Sequence, residues 1–259
     1  MTKRKLPGAE EGSACRSGRE RLSLKFDALF RTMVSTMRAL LSTYALFAKD
    51  VRSEWRTRHA LNSLLMFVVT AVIVILFALR SVEPNPELFS GMLWVVIFFT
   101  TMSGMSRAFV AEEDRGTTLT LQLVASPGVV FWGKLFLNSG LILVLSSIIS
   151  VLFKLFFSGF VVKSPDVYVV SIVLGSLGFA SASTIIAAII AKTSGRGTLY
   201  AVLLFPLLII PLLTAMSSTT KSLEGAPFND AIIDFQTLLG YLMVMVAGSS
   251  LLFEYVWKD

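Results

Sequence analysis

Six apolar runs dominate this chain and leave it few folds. They cover about residues 60–79, 88–106, 131–157, 167–191, 198–216 and 233–253. Each is close to the ~20 residues an α-helix needs to cross a bilayer. Within hydrocarbon every backbone N–H and C=O needs a partner from its own segment, so runs of this length are read as helices. The charged fraction agrees, at 15% against the ~25% usual for soluble domains. The expected fold is therefore an all-α integral membrane protein with six transmembrane helices, multi-pass in a lipid bilayer.

The charges set an orientation. Thirteen of the 23 Lys and Arg precede the first apolar run. Basic residues in that position report topology rather than nucleic-acid binding, so the net charge of +6 points to no nucleic-acid partner. With the N-terminus inside, Arg107, Arg115, Lys134, Lys192, Arg196 and Lys258 also fall inside, leaving Arg80, Lys154, Lys163 and Lys221 outside. An even number of crossings then puts both termini in the cytoplasm. No secretory signal is expected, because the first apolar run starts late and is too long for one.

Three regions follow. Residues 1–25 are polar and basic and read as a disordered tail. Residues 26–58 mix Leu29, Phe30, Met33, Met37, Leu46, Phe47, Val51 and Trp55 with Lys49, Arg52, Arg56 and Arg58, the pattern of an amphipathic helix in the membrane interface. Residues 59–259 form the membrane domain.

One polar interruption, residues 107–134, is far longer than a turn requires. It holds the acidic cluster Glu112, Glu113 and Asp114, then Arg115 and Gly116, then an apolar stretch with Leu119 and Leu123, and ends at Ser126-Pro127-Gly128. Asp114 or Thr117 suits a helix N-cap, and Pro127 with Gly128 would stop that helix. Residues 118–123 alternate with period two, a strand signal. An unpaired strand edge at a membrane surface is unfavourable, so a short helix is expected. The shorter connections read as solvated turns, including the one spanning residues 221–234.

Within the apolar runs, Gly175 and Gly178 stand among serines and alanines and mark close helix packing. Pro206 and Pro211 should kink or locally break the fifth run.

Reaction chemistry is missing. The single cysteine, Cys15, allows no internal disulfide and no cysteine-based metal site. His59 is alone at a membrane edge and reads as structural, and Met102 and Met105 read as packing rather than haem ligands. No phosphate-binding loop exists, and Gly195-Arg196-Gly197-Thr198 lacks its lysine. The apolar runs carry no chain of carboxylates for proton coupling. The expectation is a permease that is not itself an enzyme, holds no catalytic residue, metal or cofactor, and is driven by a partner pressing on the insert.

The insert carries a resemblance. Glu113-Asp114-Arg115-Gly116-Thr117, with Leu121, Leu123, Ser126-Pro127 and Lys134-Leu135, resembles the insert of type-2 ABC transporter permeases. In those, the segment follows the second membrane helix and docks into the ATPase. The six runs, the insert and the Phe205-Pro206-Leu207 to Pro211-Leu212-Leu213 stretch are most similar to the CcmB family, the haem-exporter permeases of cytochrome c maturation. The resemblance covers about residues 44–255; the first 40 or so are longer and more basic than the family's. It implies a short cytoplasmic coupling helix, with Glu112, Glu113, Asp114, Arg115, Gly116, Leu119 and Leu123 as ATPase-coupling residues. It also implies a homodimer working with a separate CcmA-like ATPase that uses the ATP, CcmC-like and CcmE-like haem-handling neighbours, and haem as cargo. Two other readings stay open: a type-2 permease exporting lipid, glycan or drug, and a non-transporting membrane scaffold.

Overall fold

A computed structural model describes residues 43, 48–49, 52, 58–79, 84–104, 126–190 and 196–258. Its described elements are six long α-helices and one short 3-10 turn, with no strand among the described residues. They are α1 (Arg58–Ala78), α2 (Pro86–Gly104), α3 (Pro127–Phe156), α4 (Pro165–Ile190), α5 (Arg196–Glu224), the turn Phe228–Ala231, and α6 (Ile232–Lys258). The last five helices are long and apolar enough to cross a membrane, and the apolar part of α1 is the shorter stretch Asn62–Ala78. Of the 26–58 region, residues 43, 48, 49, 52 and 58 are described and are helical. The rest of that region and residues 1–25 lie outside the described residues.

Local chemistry explains the starts. Pro86, Pro127 and Pro165 each open a helix, where a missing N–H costs nothing. At α2 the Asn85 side chain accepts from the Leu88 N–H at 2.8 Å, and Glu87 adds a negative charge in the first turn. At α3, Ser126 sits extended just before Pro127, so Ser126-Pro127-Gly128 begins a membrane helix. The expectation that Pro127 and Gly128 only end an earlier helix missed this role. Consequently α3 starts about a turn earlier than its apolar run suggests.

The end of α5 differs more. Its apolar run fades near Met216, yet the helix continues to Glu224. Polar side chains in this stretch are satisfied locally: Ser218 donates to the Ala215 carbonyl and Thr220 to the Met216 carbonyl. The chain then turns through Gly225, at φ +89°, where the Gly225 and Ala226 N–H groups both donate to the Lys221 carbonyl. A side chain there would strain the backbone and approach Lys163 Cβ at 3.2 Å. The connection expected over 221–234 is therefore mostly helix.

α4 is the centre of the bundle. It packs chiefly on α5, α6 and α3, and 78% of its span is buried against 17% for the span that includes α6. Its own Phe179 and the Trp94, Phe131, Phe153 and Tyr200 of other helices are all fully enclosed. The Trp94 and Phe98 rings both meet Phe179 edge-on, at 5.6 and 6.4 Å.

Candidate functional site

The bundle has two dissimilar ends. One carries the connections 79–85, 157–164 and 225–231 and is stitched by polar bonds. The Ser164 N–H donates to the Ser222 carbonyl, and the Ser222 hydroxyl donates to the Ser164 carbonyl at 2.7 Å. Ser164 also donates to the Ala226 carbonyl, and Ser90 shares a hydrogen bond with Thr220. Lys221 in the last turn of α5 pairs with Asp234 in the first turn of α6 at 2.8 Å and donates to the Asp230 carbonyl. Phe89, Phe153, Phe157 and Phe160 stack beneath this layer, so the end is closed by packing as well as by hydrogen bonds.

The other end is where the polar insert joins α2 to α3. Glu112, Glu113, Asp114, Arg115, Gly116, Leu119 and Leu123 all lie outside the described residues, as does the choice between helix and strand for 118–123. What is described is the frame: α2 runs to Gly104, α3 starts at Pro127, and the two helices pack together. Gly104 lies against α1, because a methyl group there would meet a Leu64 methyl at 2.9 Å.

From this end a polar seam runs inward between α3 and α4. On α3, Lys134, Asn138 and Ser146 fall at one-turn and two-turn spacing on one face, and all three are buried. The Asn138 amide donates to the Thr184 hydroxyl at 2.9 Å, and Ser176 donates to Ser146 at 2.9 Å. Asn138 Oδ1 has no partner among the described residues. Lys134 is only 3% exposed, a position in which an ammonium group must be held by partners. The seam can orient helices and hold polar groups inside the bundle. Among the described residues no three His, Cys, Asp or Glu side chains gather as a metal site.

The two glycines occupy different niches. Gly175 faces the Trp94 ring, whose indole N–H donates to Thr219 at 2.9 Å. Gly178, three residues on, lies where Pro211 of α5 meets Tyr241 of α6. Pro211 is buried and Pro206 is exposed, and α5 runs unbroken through both. The local break allowed for at these prolines is absent. One reason is visible: the Tyr241 hydroxyl donates to the Leu207 carbonyl at 2.8 Å, the carbonyl four residues before Pro211.

Sequence reasoning missed four participants. Trp94, in the second apolar run, was not singled out and is fully buried. Lys134 was counted with the loop charges and lies inside the bundle. Asn138 and Tyr241 were not singled out. For Lys134 and Asn138 a signal existed, namely a polar residue inside an apolar run.

A family model described as CcmB protein matches residues 41–255, which takes in the insert, the first five helices and α6 up to its last turn. Comparison with individually curated proteins gives no significant match. With five helices long and apolar enough to cross a membrane, a shorter apolar one before them and a family match across most of its length, the chain belongs to the CcmB family, membrane permease subunits of an ABC transporter of the haem-exporter type, and is a multi-pass protein of the inner membrane.

Proposed function

We propose that the insert expected over 107–134, shortened to the part that precedes α3 at Pro127, is the cytoplasmic docking element through which a separate CcmA-like ATPase drives this permease. The observation that carries the reading is the continuity of the family match through the insert, between the described ends of α2 and α3. In this reading Glu112, Glu113 and Asp114 pair with basic residues of the ATPase, Arg115 and Gly116 shape the turn, and Leu119 and Leu123 enter an apolar cleft. Both termini are cytoplasmic, which accords with the excess of Lys and Arg on that side. The stitched end with Lys163, Lys221 and Asp234 then faces outward. The subunit works as a homodimer, beside CcmC-like and CcmE-like haem-handling proteins. Haem is the cargo and no resident cofactor is held.

Copurification of the ATPase with the permease tests this. Glu113→Lys combined with Leu123→Asp weakens recovery of the ATPase while membrane-inserted permease stays constant, since both positions lie outside the apolar runs. The leucine carries most of the loss, because an exposed ion pair contributes only ~0.2–1 kcal/mol. Equal recovery at equal expression would return the insert to a solvated loop.

A further inference from the structure

We propose that Tyr241 is a positioning residue that fixes the course of α5 at Pro211, supplying from a neighbouring helix the hydrogen-bond donor that Pro211 lacks. Pro211 lies inside α5 and has no N–H, so the ordinary helical bond to the Leu207 carbonyl cannot form. The Tyr241 hydroxyl of α6 donates to that same carbonyl at 2.8 Å. Gly178 of α4 completes the junction. A methyl group built there would touch Pro211 Cβ at 3.4 Å and the Tyr241 ring at 3.5 Å. Three helices thus converge on the one turn of α5 where the backbone ladder is interrupted.

This bond differs in kind from its neighbours. Thr214, Ser218 and Thr220 all donate to carbonyls of α5 itself, and those bonds travel with the helix. The Tyr241 bond joins two helices, so any displacement of α5 against α6 stretches or breaks it. Bilayer hydrocarbon offers no water to take its place. Proline turns are where helices bend, and whether this one is held straight depends on α6.

Position gives the bond its leverage. Toward the stitched end, α5 and α6 are fastened by Asp234, which accepts from Lys221 at 2.8 Å and from Ser217 at 3.2 Å. Tyr241 lies seven residues further along α6. Beyond it, toward the insert end, no side-chain hydrogen bond joins α5 to α6 among the described residues. Tyr241 therefore stands at the boundary between a third of α5 fastened to α6 by side-chain hydrogen bonds and a segment, from Arg196 to Pro206, that meets its neighbours through packing, with Tyr200 and Leu204 in the core. The insert end, where the proposed motor docks, lies beyond that boundary.

The test uses the full chain in nanodiscs, with spin labels on the exposed positions Val202 and Phe228, one on each side of the proline turn. Tyr241→Phe keeps the ring and its packing but removes the donor, and it shifts or broadens the distance distribution. Pro211→Ala restores an N–H to α5, so the double variant Pro211→Ala, Tyr241→Phe returns to the wild-type distribution. A Tyr241→Phe distribution identical to wild type overturns the proposal, and so does a double variant that stays shifted. Only the consequence of that positioning rests on the docking reading. In the assembled transporter, ATP hydrolysis falls with Tyr241→Phe and recovers in the double variant. Recovery of distance without recovery of hydrolysis reduces Tyr241 to a structural tie and overturns its positioning role. A wild-type assembly without ATP hydrolysis would count against the docking reading, while the distances still decide the tie.

Discussion

Two levels of α4, one turn apart, show two ways of joining helices in a membrane. At Gly175 the contact is shape alone. The Trp94 ring is fully buried, pinned through its N–H to Thr219 and flanked edge-on by Phe179. At Gly178 the contact is looser and its centre is a hydrogen bond, from Tyr241 to a carbonyl that Pro211 cannot serve. The first level is a fixed point, because a ring held on three sides has one place to be. The second is replaceable, because the same carbonyl can be served from α6 or, without the proline, from α5. Small residues in a membrane helix thus mark close approach without saying whether the contact is rigid or adjustable.

The sharpest way to break this comparison is Gly175→Ala. The added methyl would overlap Trp94 Cη2, far inside any tolerated contact, with Cζ3 and Cζ2 at 2.9 and 3.0 Å. The ring cannot withdraw without losing its bond to Thr219 and its seat on Phe179. The cost falls at or above the upper part of the ~1–3 kcal/mol typical of over-packing. The expected result is a clear drop in melting temperature in detergent and a lower yield of monodisperse protein. Adding Trp94→Phe, which removes the offending atoms, recovers part of it. Wild-type melting of Gly175→Ala would show that the ring has room and that the fixed point is not fixed.

A smaller effect tests the polar side of the same level. Ser176 follows Gly175 and donates to Ser146 on α3 in a buried contact. Interhelical hydrogen bonds in membranes average ~0.6 kcal/mol, so Ser176→Ala lowers the melting temperature slightly and leaves the fold intact. A loss as large as that of Gly175→Ala would make the α3–α4 seam, rather than the Trp94 fit, the main fastening of α4.

Much of the fold could be read from the residues, because hydrocarbon imposes one demand on every segment that crosses it. The six apolar runs correspond to α1–α6, and most of their limits shift by a few residues. The large discrepancy, at the end of α5, has a definite cause. Ser217, Ser218, Thr219 and Thr220 look like a loop to any measure of polarity, yet each hydroxyl bonds to its own helix or to a neighbour. The functional residues were harder to read. The insert is conspicuous because it is polar and long where a turn would do. Trp94 was not, because a tryptophan in an apolar run looks the same whether it anchors at an interface or fills the core. Tyr241 was the least visible, since its partner is a backbone carbonyl 34 residues earlier. What singles that carbonyl out is a proline four residues after it, which is a relation between two helices and not a motif in one.

The finest discrimination comes from Gly178→Ala. The new methyl would rest 3.4 Å from Pro211 Cβ and 3.5 Å from the Tyr241 ring, both ordinary van der Waals separations. Replacing Gly by Ala inside a helix is otherwise favourable by roughly 0.5–1 kcal/mol. In this crowded junction that gain is offset by tighter contacts, and the net change in stability is expected to stay within about 0.5 kcal/mol, the usual scale for a change that touches no critical fit. The informative readout is the contrast with the neighbouring turn. Gly175→Ala and Gly178→Ala are the same chemical change on the same helix, and their melting temperatures should differ widely. If the two fall equally, the Gly178 junction is as rigid as the Trp94 pocket, and α5 has no adjustable joint at Pro211. If Gly178→Ala is silent in melting but narrows the Val202–Phe228 distance distribution, the methyl has filled the slack around Tyr241, as an adjustable junction requires.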